Sequence, residues 1–155
     1  MAAGPSPATT RSSGRRWLLR CSLAVLLCPL TVGAAVLGEA DARAVRAVIE
    51  AQLDAFAADD AERAYSYASA AIRTQFTDAA TFMAMVRAGY PMVVRPDSVT
   101  FFQPQSTDGA VLQTVQLRDR AGRLWRATYQ LERQPSDGWR INGCTVVPDT
   151  GKSMT

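Results

Sequence analysis

A chain of 155 residues with 48% hydrophobic composition is enough for one domain with an ordinary core, and it excludes both a disordered chain and a repeat array. The formal charge of +3 is misplaced for a nucleic-acid surface: Arg11, Arg15, Arg16 and Arg20 all precede the first long apolar run, and from Asp41 onward thirteen basic residues face thirteen acidic ones. With no histidine and the acids spread singly, neither a zinc site nor a calcium loop is indicated, and no metal or other cofactor is expected.

The first twenty residues are rich in Ser, Pro, Gly, Thr and Arg, and an uncharged run follows from Cys21 to Gly38. This pattern is read as an export segment over residues 1–40, cleaved after Ala35 or Ala40. The run of about 18 residues is also long enough to remain as a membrane anchor. Either way the following domain lies outside the cytoplasm, periplasmic or secreted, because the arginines stay inside. Cleavage would leave Cys144 as the lone thiol, a small buried strand residue unless it is reactive or bridges two chains.

From Asp41 to about Ala58, the three- and four-residue spacing of Val45, Val48, Ile49, Leu53 and Phe56 predicts an amphipathic helix capped by Asp41. Asp59 and Asp60 break the pattern and cap a second helix from Ala61 to about Ala71. Thr77 or Asp78 opens a third, whose face carries Phe82, Met85 and Val86 and which stops at Gly89 before Pro91. Beyond Pro91 the chain becomes β: a short extended piece over Met92 to Arg95, a strand over Ser98 to Gln103, a turn over Ser106 to Gly109, and an alternating strand from Ala110 to Arg118. Asp119 to Gly122 turns the chain into a hairpin whose first strand puts Trp125, Ala127, Tyr129 and Leu131 on one face. Its second puts Trp139, Ile141, Gly143, Thr145 and Val147 opposite Arg140, Asn142, Cys144 and Val146, and Pro135, Asp137 and Gly138 form the turn. The fold class is α+β: three N-terminal helices packed on a curved antiparallel sheet of about four strands, spanning 41–149, with 150–155 a disordered tail.

That order of helices and strands resembles the nuclear-transport-factor-2-like, or cystatin-like, cone. At residue level, FMAMVRAGYP, VVRPDSVTF and WRINGCTVVPD are similar to a family of small exported bacterial proteins known only as a domain of unknown function. The resemblance covers about Asp41 to Asp149. It implies a conical pocket between helices and sheet, and no particular activity.

The side chains expected to line such a pocket are Phe56, Tyr65, Phe82, Tyr90, Trp125, Tyr129 and Trp139, with Thr145 as a further polar group. The reading is a non-catalytic module for a small apolar ligand or an envelope partner protein, in a monomer or homodimer. The alternative is a cofactor-independent isomerase or lyase, with Asp54 as the base and Tyr65 holding the oxyanion. Arg118, Arg120, Arg123, Arg126 and Arg133 crowd the hairpin ends, as a solvated outer face or a patch for an anionic partner.

Overall fold

The computed structural model describes residues 37–151. Residues 1–36 of the expected export segment and the last residues of the expected tail lie outside that range, while Glu39 and Ala40, placed in that segment, form the first residues of a helix. Within the range, no helix is long and apolar enough to cross a membrane. Among the described residues, five helices precede five strands. The helices are α1 (Glu39–Ala57), α2 (Ala61–Ser66), α3 (Ala70–Arg73), α4 (Ala79–Gly89) and α5 (Pro91–Val94). The strands are β1 (Ser98–Phe101), β2 (Gln105–Thr107), β3 (Ala110–Arg118), β4 (Leu124–Gln134) and β5 (Gly138–Pro148).

The α+β class and the order of helices then strands are as the sequence implies; the counts differ, each for a local reason. The expected second helix is two, because Tyr67 to Ser69 leaves the helix to meet β5: the Ile141 N–H donates to the Tyr67 carbonyl at 2.9 Å, and the Ser69 N–H to the Ile141 carbonyl at 2.8 Å. Ser69 then caps α3, its hydroxyl accepting from the Ile72 N–H. Residues 91–94 form a helical turn rather than an extended piece, with Pro91 at the first position, where its fixed φ suits a helix and its missing N–H costs nothing. Gln105 to Thr107 is a short strand rather than part of a turn. The reversal is confined to Asp108 and Gly109, both at positive φ.

Asp41 does not cap α1. The helix begins after Gly38 with no side-chain cap, and Asp41 instead accepts from the Trp139 indole at 3.1 Å and pairs with Arg133. Asp60 and Asp78 do cap, accepting from the Arg63 and Thr81 N–H groups. Beyond the end of α1 at Ala57, Asp59 takes the left-handed region and pairs with Arg87, while the Asp60 N–H donates back to the Ala55 carbonyl.

The sheet is antiparallel and open, in the order β1-β3-β4-β5, with β2 on the far half of β3 beside β1. Its helix-facing side buries Val111, Val115, Leu117, Ala127, Tyr129, Leu131 and Ile141 against Val45, Ile49, Leu53 and Phe56 of α1 and Phe82, Met83 and Val86 of α4. Each large side chain so buried contributes roughly 1.5–3 kcal/mol. Gln113 is buried in the same row because its amide donates to the Phe102 and Thr114 carbonyls, satisfying the backbone where the chain crosses from β1 to β2.

The register of β5 against β4 slips once. Leu131 pairs with Ile141 and Gln130 with Gly143, so Asn142 is the extra residue of a β-bulge. Its side-chain oxygen accepts from the Ser69 hydroxyl at 2.8 Å, tying the bulge to the start of α3.

Candidate functional site

Between α1, α3, α4 and the inner face of β4 and β5 lies a cavity of about 280 Å³. Phe56, Tyr129 and Ile141 are buried in its wall, Phe76, Phe82 and Tyr90 continue the wall, and exposed Gln75 and Met85 stand at its rim. The aromatic side was built by packing. Phe82 lies 5.4 Å from the rings of both Tyr65 and Phe76 and 6.2 Å from Phe56.

Four of the eight expected lining residues therefore meet: Phe56, Phe82, Tyr90 and Tyr129. The other four lie elsewhere, each for a visible reason. Tyr65 sits behind Phe82 and donates its hydroxyl to the Arg73 carbonyl at 2.6 Å, closing the end of α3. The Trp125 indole donates to Asp119 at 2.9 Å beside the β3–β4 turn. Trp139 is held at the opposite end of the sheet by Asp41, under the Arg133 guanidinium. Thr145 is exposed, since the bulge at Asn142 reverses the faces beyond it, and Cys144 and Val146 point inward in its place.

Asp54 is exposed on the solvent side of α1 and does not line the cavity. Among the described residues, the lining contains no carboxylate and no cation. With the Tyr65 hydroxyl bound to backbone carbonyls, the base and oxyanion donor required for proton transfer do not come together.

The cavity's polar groups are neutral. Gln52 is buried and donates its amide to the Ala64 carbonyl at 3.1 Å. Tyr129 and Cys144 are cross-strand partners, and burial sets their chemistry. Burial pushes the Cys144 thiol up to about 12, against a smaller opposing effect of the Tyr129 hydroxyl, and raises the Tyr129 phenol well above its ordinary value. Both stay protonated at neutral pH, so Cys144 offers a weak thiol donor rather than a thiolate nucleophile. No group of His, Cys, Asp and Glu among the described residues could hold a metal ion.

The lining residues missed by sequence reasoning include Gln52, Ile72, Phe76, Cys144 and Val146. One cue was present for the last two: an Asn-Gly pair inside an alternating strand marks a place where the alternation can break.

No curated protein matches the chain. A family model does, over residues 38–154, which spans the whole described fold. The chain belongs to the family described as domain of unknown function DUF4864.

Proposed function

We propose that the domain is a non-catalytic binding module of nuclear-transport-factor-2-like shape that takes a small, uncharged, apolar ligand into the cavity between α4 and β5. The observation that carries this reading is the wall itself: aromatic and aliphatic side chains, neutral polar groups in Gln52, Gln75, Tyr90, Tyr129 and Cys144, and no charged residue. Apolar cavities of roughly 150 Å³ already admit a benzene-sized molecule, and small-molecule sites are commonly apolar with a few polar groups that orient the ligand. The same wall argues against the isomerase or lyase reading, which needs a buried carboxylate. The export segment supports a setting outside the cytoplasm.

The test is titration of the full chain with a neutral apolar fluorophore such as N-phenyl-1-naphthylamine. Saturable binding is expected, reduced at least tenfold in Val146→Phe, which fills the cavity from β5. Absence of saturable binding, or equal affinity in a folded Val146→Phe variant, would overturn the proposal. Native mass spectrometry of protein taken gently from its own envelope tests the setting and the occupant together: cleaved mass with a bound neutral molecule is expected.

A further inference from the structure

A second concavity, of about 510 Å³, lies on the other side of α5, between the C-terminal part of α4, α5 and the β3–β4 turn. Its character is opposite to that of the interior cavity. Arg87, Arg95, Arg120 and Arg123 line it over an apolar floor that includes Met92 and Val94. The arginines come from three separate stretches of chain, and only the fold collects them.

The turn that presents Arg120 and Arg123 is rigidly built. One Asp119 oxygen accepts from the Ala121 and Arg123 N–H groups at 3.0 and 2.9 Å, and the other from the Arg123 Nε and the Trp125 indole at 2.8 and 2.9 Å. Gly122, at φ 79°, donates back to the Asp119 carbonyl. The one carboxylate in the cleft is thus fully engaged in holding the turn. On the other wall, Arg95 Nε donates to the Ala57 carbonyl at 2.9 Å, which fixes the side chain and leaves its terminal nitrogens unused.

Charge is not balanced here. Asp119 offsets Arg123 and Asp59 offsets Arg87, while among the described residues Arg95 and Arg120 have no carboxylate partner. The cleft carries an excess of two positive charges. Like charges gathered in one concavity repel, and a bound anion relieves that repulsion. Guanidinium groups are forked donors that match phosphate oxygens, and an excess of two charges matches a phosphate monoester in its doubly ionised form.

We infer that the cleft between α5 and the β3–β4 turn is a binding site for a doubly ionised phosphate group, with Arg95 and Arg120 as its main contacts. The phosphate can be free or carried on an apolar tail, for which Met92 and Val94 provide a floor. This site is independent of the apolar cavity and of the ligand proposed for it.

The test is isothermal titration of the full chain with inorganic phosphate, with short-chain dioctanoyl phosphatidic acid and with dioctanoyl phosphatidylcholine, in wild type, Arg120→Gln, Arg95→Gln/Arg120→Gln and Arg43→Gln/Arg63→Gln. The last variant removes two exposed cations outside the cleft. Arg120→Gln keeps the test sound if loss of the Arg95 contact to Ala57 disturbs folding. Binding of inorganic phosphate, weakened at least threefold by Arg120→Gln and tenfold by the cleft double variant but not by the control, supports the site with free phosphate as occupant. Binding of phosphatidic acid alone with the same variant pattern supports it with a lipid phosphate as occupant. Phosphatidylcholine binding as tightly as phosphatidic acid, equal losses in cleft and control variants, or no binding of either phosphate would overturn it.

Discussion

The two concavities flanking α5 are made by different physics. The interior cavity is a gap in close packing, bounded by rings and aliphatic chains whose positions follow from burial; its polar groups are amides, phenols and a thiol, and burial only raises the thiol further. The cleft at the β3–β4 turn is shaped by hydrogen bonds to a single carboxylate, and its cations remain at the surface, where charge is well solvated. One depends on volume, the other on charge and turn geometry. Mutations should therefore separate them, and pH should act on them in opposite directions.

The largest effect is expected from inserting one alanine between Gly143 and Cys144. The added residue moves every later position of β5 to the other face, turning Thr145 and Val147 inward and Cys144 and Val146 outward. Loss of cooperative unfolding is expected in urea melts followed by circular dichroism. Next is Phe82→Ala, which removes the ring shared by Phe56, Tyr65 and Phe76 and should cost about 3–5 kcal/mol in chemical denaturation. It should leave the affinity of the cleft for phosphate unchanged; a parallel loss would mean that the two concavities are one unit.

Cys144 sharpens the contrast. With the thiol pushed up to about 12, alkylation by iodoacetamide at pH 8 should run about a thousandfold slower than for a free thiol of ordinary pKa, and faster on unfolding in urea. Because the folded value is raised, the thiol's contribution to stability is complete below its ordinary value of 9.0 and declines as pH rises from there toward 12. Asp119 behaves in the opposite sense and over a smaller range. The Trp125 indole, then the Arg123 backbone N–H and guanidinium, hold its carboxyl down at about 2, against an ordinary 3.8. Its contribution is present above 3.8 and is lost as pH falls toward 2, so Asp119→Asn should flatten the acid limb of a thermal-stability profile and leave the alkaline limb unchanged.

The helix faces, the caps at Asp60 and Asp78, the strand from Ala110 to Arg118 and the hairpin were legible because each is written in local spacing or a single capping residue. The division of the second helix was not, since it depends on Ile141, more than seventy residues away. The cavity was legible on its aromatic side and illegible on β5, where one extra residue reversed the alternation. Tyr65, Trp125 and Trp139 have the composition of pocket residues, yet each spends its polar atom on a distant or neighbouring partner: the Arg73 carbonyl, Asp119 and Asp41. The cationic cleft was half visible. Arg120 and Arg123 stood out in the turn, but Arg87 and Arg95 arrive from the helical half of the chain.

The link between Tyr67, Ser69 and Ile141 bears on how the chain acquires its structure. The backbone groups that end α2 and start α3 find their partners on β5, the last strand to be synthesised, and Asp41 at the start of α1 finds Trp139 there as well. A nascent chain lacking residues 138–148 leaves these groups without those partners and the sheet without an edge. Completion of the helical half therefore depends on β5, and contacts of such long sequence separation slow folding.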